Sequence, residues 1–221
     1  MIVGHGLIAK AFIHSVFDSL QHVVFASGIS NSSESNPTAY TRELDLLAQY
    51  LAKNKTLIYF STTSIFDPTK KDTLYIRHKI QIEKLIREQA ESYLIVRLPI
   101  LIGRTDNAFT LINFLVNAIN GKRLVQLHSN ACRHLLDIDD VVPVMTPFYS
   151  DTTAQHIINI LGSKKITIPD LVRKIEFVLH KQGEFSWQNE GACYDIPANE
   201  GEILYVKKEN YVDEILQKYF S

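Results

Sequence analysis

Short apolar runs alternate with segments of helical period along this 221-residue chain, and that alternation constrains its fold more than any other feature. Residues 1–4 (MIVG) read as a very short strand, and residues 7–20 carry a helical pattern. Residues 22–26 (HVVFA) read as a buried strand, followed by the polar loop SGISNSSESNP. Residues 38–53 read as an amphipathic helix with Leu44, Leu47 and Leu51 on one face. Residues 56–61 (TLIYFS) and 93–98 (YLIVRL) are further apolar strands. Between them, residues 75–90 place Ile76, Ile80, Ile82, Leu85 and Ile86 near helical spacing. The last third adds a helix around 107–120, a strand around 157–160, and helices around 168–181 and 209–220. Strands that alternate with helices predict an α/β protein: a parallel sheet with helices on its faces.

With 46% apolar and 21% charged residues, the chain can bury an ordinary core. A net charge of -1 gives no reason to expect nucleic acid as a partner. No apolar run approaches the ~18 residues of a membrane span, and no secretion signal is visible, so a cytoplasmic protein without membrane contact is expected. Cys132 and Cys193 are far apart and make no metal spacing; they read as small buried or surface thiols, and no metal is expected.

Four segments carry candidate chemistry. Gly4-His5-Gly6-Leu7-Ile8-Ala9 matches G-x-G-x-x-A directly after a strand and at the opening of a helix. There the first glycine permits a tight turn, the second lets backbone approach a pyrophosphate, and a small third residue lets helix and strand pack closely. A plain strand–helix turn is the simpler alternative. Tyr75 and Lys79 form Y-x-x-x-K, a spacing common by chance, but here it sets both on one helix face, where an ammonium would favour tyrosinate and lower the phenol's pKa. Ser61-Thr62-Thr63-Ser64 follows a strand and reads either as hydroxyls at the carboxyl end of a sheet or as a polar turn. In residues 133–140 (RHLLDIDD), Asp139 and Asp140 read as caps of a helix beginning at Val141, while Arg133 could grip a diphosphate as a fork of donors.

Taken in order, these segments resemble the extended short-chain dehydrogenase/reductases, the NAD-dependent epimerase/dehydratase family. GHGLIA resembles its cofactor-phosphate loop and HVVFASG its turn beneath the nicotinamide. FSTTSIFD, YIRHK, RLPILIG and RHLLDIDDVV resemble its successive site segments, and IINILGSKKITIPDLV a later one. The likeness covers nearly the whole chain and is somewhat closer to 4-keto sugar reductases than to epimerases.

The resemblance implies a Rossmann-type sheet, with residues 1–103 and 136–162 as the cofactor-binding core and 104–135 and 163–221 as a substrate lobe. It implies Thr62, Tyr75 and Lys79 as catalytic residues. It places Gly4, Gly6, Leu7, Ile8, Ala26, Ser27, Lys79 and Pro99 at NAD or NADP, and Ser64, Asn107 and Arg133 at a sugar-nucleotide substrate. The implied reaction is oxidoreduction or epimerisation at a keto or hydroxyl carbon, in surface-polysaccharide biosynthesis, by a homodimer built on helices 38–53 and 75–90.

The chain departs from the pattern in four places. The second strand, second helix and third strand are missing, and with them the residue that holds the adenosine ribose. Glu43 stands where the family carries asparagine, Asp67 stands where it carries glycine, and the stretch from Thr62 to Tyr75 is short. A non-catalytic protein that binds nucleotides or sugar nucleotides is the alternative these departures leave open.

Overall fold

The computed structural model describes residues 1–51, 54–150 and 155–221. In chain order its elements begin with β1 (Ile2–Val3), α1 (Leu7–Phe12), β2 (His22–Phe25), α2 (Pro37–Leu51), β3 (Thr56–Thr62), α3 (Leu74–Gln89) and β4 (Tyr93–Leu98). Then come β5 (Ile100–Ile102), α4 (Leu111–Asn120), β6 (Val125–His128), β7 (Cys132–Asp137) and α5 (Ile138–Met145). The last are β8 (Gln155–Leu161), β9 (Lys165–Thr167), α6 (Ile168–Leu179), β10 (Phe185–Gln188), β11 (Glu202–Tyr205) and α7 (Tyr211–Phe220).

The six-stranded main sheet runs β1-β2-β3-β4-β8-β11 with every neighbouring pair parallel. Both of its faces are covered, which is why β2, β3 and β4 read as continuous apolar runs. Successive side chains serve opposite faces. Val23, Phe25, Leu57, Tyr59 and Ile95 pack with Leu47 and Leu51 of α2 and Ile82 and Ile86 of α3. Val24, Ile58, Phe60, Leu94 and Val96 pack with Phe12 of α1 and Val141 and Met145 of α5, in a cluster that continues into α4, α6 and α7. Threonine hydroxyls start three helices: Thr73 caps α3, Thr110 caps α4 and Thr167 caps α6, each accepting from a backbone N–H of the first turn.

The α/β class and the helix-covered parallel sheet are as the sequence predicts. The shortening is visible as well: β1 is an edge strand, with no strand outside it among the described residues. Five details differ from the sequence reading. The helix expected over 7–20 stops at Phe12, and His14 adopts a left-handed φ of 62°. Phe12 and Phe17 would lie about 140° apart on a continuing helix; the turn brings both into the core, their rings 5.7 Å apart. α5 begins at Ile138, capped by Asp137, whose carboxylate accepts from the Asp139 N–H at 3.0 Å. β11, from a segment expected in the lobe, pairs with β8 in the main sheet. The lobe adds one small sheet, β10-β6, and a second, β5-β7-β9, joins it to the expected core. Finally, Cys132 and Cys193 are joined in a disulfide, their Cα atoms 4.8 Å apart, rather than standing as separate thiols. The last two residues of the helix expected over 38–53, and residues 151–154 of the expected core, lie outside the described residues.

Candidate active site at the carboxyl edge of the sheet

The Gly4–Gly6 turn joins the end of β1 to α1. Gly4 adopts φ +123°, and a Cβ there would lie 2.5 Å from the Ala26 carbonyl oxygen, so the turn needs glycine to close against the end of β2. Gly6 precedes α1 and faces open space: a Cβ there would meet nothing within 4 Å. Leu7 and Ile8 follow, half-buried. Ala26 and Ser27 sit at the neighbouring strand end, where the Arg42 guanidinium donates to the Ser27 Oγ at 3.3 Å and to its carbonyl at 3.1 Å. Parallel strands put all these groups, with Thr62 at the end of β3 and Pro99 just past β4, on one edge of the sheet.

Thr62 is buried, and its Oγ1 accepts from the Ser64 N–H at 3.1 Å, starting a single 3₁₀ turn over Thr63–Phe66. The phenol of Tyr75, which α3 presents from its first turn, lies near this hydroxyl. Ser61, beside Thr62, has a buried Oγ without a hydrogen-bond partner.

Lys79 lies one turn beyond Tyr75 and is 2% exposed. Its ammonium donates to the Tyr59 hydroxyl at 2.8 Å and to Glu43 Oε1 at 3.1 Å, and sits 5.9 Å from the centre of the Tyr75 ring. Glu43, fully buried, also takes the Ile29 N–H at 2.7 Å and the Tyr59 O–H at 2.8 Å, and meets His78 Nε2 at 3.1 Å. Burial alone would push the Glu43 carboxyl up; Lys79, then His78, the Ile29 N–H and Tyr59 outweigh it and hold the pKa at about 2. Tyr75 moves the other way from the sequence expectation: burial lifts its phenol above the ordinary value, and the neighbouring Thr62 hydroxyl only partly offsets this. The Lys79 ammonium is bonded to Glu43 and Tyr59 instead. Glu43 thus joins Lys79, Tyr59 and His78 in one buried polar cluster, an arrangement the sequence reading missed. The departure from asparagine at Glu43 was the available signal.

The structure brings together Gly4, Gly6, Ala26, Ser27, Thr62, Tyr75 and Lys79, but it occupies the expected substrate residues otherwise. Ser64 lies in the 3₁₀ turn. Asn107 accepts from the Phe109 N–H at 3.0 Å and donates to Ser30 Oγ at 3.2 Å. Arg133 donates to Asp67 Oδ2 at 2.8 Å and to the Cys132 and Ala192 carbonyls at 2.7 and 3.1 Å. A wider groove of about 1220 Å³ opens past the carboxyl ends of β8 and β11, against α6 and the start of α7. Its Arg173, Lys174 and Lys208 are paired with Asp170, Asp213 and Asp140.

No protein-family profile and no curated protein matches the sequence significantly. Solved structures do match. A UDP-N-acetylglucosamine 4-epimerase from Methanobrevibacter ruminantium, in complex with UDP-N-acetylmuramic acid, is 16% identical, with a TM-score of 0.69 over 94% of this chain and 80% of its own. A dTDP-glucose 4,6-dehydratase from Bacillus anthracis, in complex with NAD, is 18% identical, with a TM-score of 0.65 over 99% of this chain and 78% of its own. A dTDP-4-dehydrorhamnose reductase from the same organism, in complex with NADP, is 14% identical, with a TM-score of 0.65 over 90% of this chain and 80% of its own. At these identities the likeness is one of fold: the chain has the Rossmann-type fold of sugar-nucleotide epimerases, dehydratases and reductases, in a shortened form.

Proposed function

We propose that the protein is an NAD(P)-dependent oxidoreductase that reduces a keto carbon of a nucleotide-activated sugar, with surface-polysaccharide biosynthesis as its setting. The observation that carries this reading is the placement of Thr62 at the carboxyl end of β3 and Tyr75 in the first turn of α3, on the same sheet edge as the Gly4–Gly6 turn. The turn fits a dinucleotide pyrophosphate, because Gly4 closes on Ala26 while the space over Gly6 stays open. Gly4, Gly6, Leu7, Ile8, Ala26 and Ser27 would hold the pyrophosphate, and Lys79 and Pro99 would line the nicotinamide end. Nicotinamide supplies hydride chemistry when bound.

Thr62 would hydrogen-bond the substrate oxygen, and Tyr75 would give it a proton. The phenol is protonated at neutral pH, as a donor to a developing alkoxide must be, and burial keeps it so. Reduction is the direction that the sequence's closer likeness to keto reductases suggests. Lys79, neutralised by Glu43, would orient Tyr75 more than acidify it.

A second reading has its own support: the Glu43–Lys79 pair removes the charge that would activate Tyr75, as suits a sugar-nucleotide-binding protein without turnover. Titration with NADH and NADPH, followed by turnover assays on UDP- and dTDP-activated 4-keto sugars, separates the two. The enzyme reading expects cofactor binding, and a loss of turnover of about 10²–10⁴-fold in Tyr75→Phe with unchanged cofactor affinity. No binding of either cofactor, or near-wild-type turnover in Tyr75→Phe, overturns it. A cytoplasmic homodimer remains part of the proposal; among the described residues no helix is long and apolar enough to cross a membrane.

A further inference from the structure

The segment between β10 and β11 packs over Arg133 of β7 and faces Thr63, the residue after Thr62 of the candidate site. Gly191, at φ +89°, lets it press on Ala131: a Cβ there would lie 2.8 Å from the Ala131 Cβ and 3.0 Å from its nitrogen. Beyond it, the Ala192 carbonyl accepts from Arg133 at 3.1 Å and from the Cys132 N–H at 3.4 Å. The Tyr194 ring lies 5.6 Å from the Arg133 guanidinium, Asp195 pairs with Lys165, and Cys193 is bonded to Cys132. Between this segment and Thr63, Arg133, His134 and Leu161 the remaining space is about 20 Å³, enough for a water and far too small for a nucleotide.

Beneath it sit two cations and one carboxylate. Arg133 pairs with buried Asp67, and Lys70 lies close enough for Arg133, together with burial, to lower its pKa. An anion would complete this group, but Ala192 and Tyr194 cover its guanidinium.

We propose that residues 191–197 form a disulfide-held latch over Arg133, and that reduction of Cys132–Cys193 by a dithiol opens this face to the diphosphate of a sugar nucleotide. The proposal rests on the reading of the cleft as a sugar-nucleotide site. Apart from the disulfide, the latch is held by few hydrogen bonds, one stacking contact and an ion pair of the exposed Asp195, an interaction worth little in water. Cys193 is exposed, whereas Cys132 is buried in β7. The reductant's thiolate attacks the Cys193 sulfur, the S–S bond breaks, and Cys132 leaves as a thiolate. The reductant's second thiol then displaces Cys193, so the protein gains two electrons and two protons as two thiols while the dithiol becomes its own disulfide. In a reducing compartment a disulfide that serves as a switch is the usual kind.

The test is calorimetric titration of the full chain with UDP and with dTDP, oxidised in air, reduced with dithiothreitol, and as Cys193→Ser. Freeing a charged hydrogen-bonding group should strengthen binding at least tenfold on reduction. Cys193→Ser should bind like the reduced protein with or without dithiothreitol, and Arg133→Gln should lose the gain. Faster proteolysis at residues 191–197 in the reduced protein is expected alongside. Equal affinities in oxidised and reduced protein, no diphosphate binding in either, or two free thiols in the denatured, air-oxidised protein would each overturn the latch. NADH titration of the same samples judges the reductase reading separately: failure to bind NADH sinks that reading, while the latch stands or falls on the diphosphate.

Discussion

Replacing Glu43 by glutamine removes one negative charge from the centre of the candidate site and almost nothing else. The carboxylate is fully buried and accepts from Lys79, Tyr59 and the Ile29 N–H, with His78 as a fourth contact. A carboxyl moved from 4.5 to about 2 contributes about 3 kcal/mol to folding at neutral pH, at about 1.4 kcal/mol per tenfold change in proton affinity. Because the folded-state pKa is depressed, that contribution is fully present above about 4.5 and is lost as pH falls through about 2. Glu43→Gln also strands the Lys79 ammonium in the interior, a loss of the same order, about 3–5 kcal/mol. Urea unfolding at pH 7 should therefore show a loss of about 3 kcal/mol, with Tm lower by roughly 6–12 °C. Adding Lys79→Met should return much of it, since an apolar replacement of a buried ion pair is often close to neutral. Wild type should lose stability relative to Glu43→Gln between pH 4.5 and 2. A loss below about 1 kcal/mol, or the same loss with and without Lys79, would refute the claim that this carboxylate exists to hold that ammonium.

Two glycine substitutions should separate folding from binding: Gly4→Ala collides with Ala26 and should destabilise by about 1–3 kcal/mol, whereas Gly6→Ala should unfold like wild type. If Gly6→Ala also leaves NADH affinity unchanged, the turn is not the pyrophosphate site. Leu74 and Ile80 of α3 are exposed apolar residues on a helix expected to pair with a second copy, so light scattering should give a dimer mass at micromolar concentration; a monomer mass counts against the interface. Tyr75→Phe should leave urea unfolding within about 1 kcal/mol of wild type, because one partly satisfied hydroxyl is removed; a larger loss would make Tyr75 a structural residue first.

The parts of the fold that the sequence made legible are those where one physical pattern dominates. β2, β3 and β4 are covered on both faces, so their apolar runs are continuous. α2 and α3 each turn one stripe to the sheet, so helical spacing shows. The lobe strands were illegible for the opposite reason. β6 is only four residues long, too short for its buried-exposed alternation to stand out, and β7 begins with Cys-Arg-His, whose polar side chains are held by Asp67 and the Gly162 carbonyl. The Cys132–Cys193 pairing spans 61 residues, and no local pattern encodes it. The sequence singles out Thr62, Tyr75 and Lys79, and the structure sets them near one another, but their electrostatics were not legible. Whether a lysine acidifies a tyrosine depends on what else holds the ammonium, and Glu43 comes from another helix, 36 residues earlier.

The shortened sheet bears most directly on which end of a dinucleotide the protein can grip. In open parallel sheets a dinucleotide lies across the point where strand order reverses, one half on each side. Here the order proceeds outward from β1 without a reversal, and β1 is two residues long. The half of the site beyond β1, which would meet the adenosine, therefore has no strand end to carry an Asp, Glu or Arg toward the ribose among the described residues. The other half is built: the Gly4–Gly6 turn, Ser27 with Arg42 on it, and Thr62 near Tyr75 share one edge. Charged hydrogen bonds are worth about 1.5–3 kcal/mol, so an adenosine end without one should cost roughly 10- to 100-fold in affinity. It should also leave NADH and NADPH bound almost equally, because the group that tells them apart lies at that missing end. A hundredfold preference for either cofactor in the titrations would mean that Arg42, or another residue at the β2 end, has taken over the reading of the ribose.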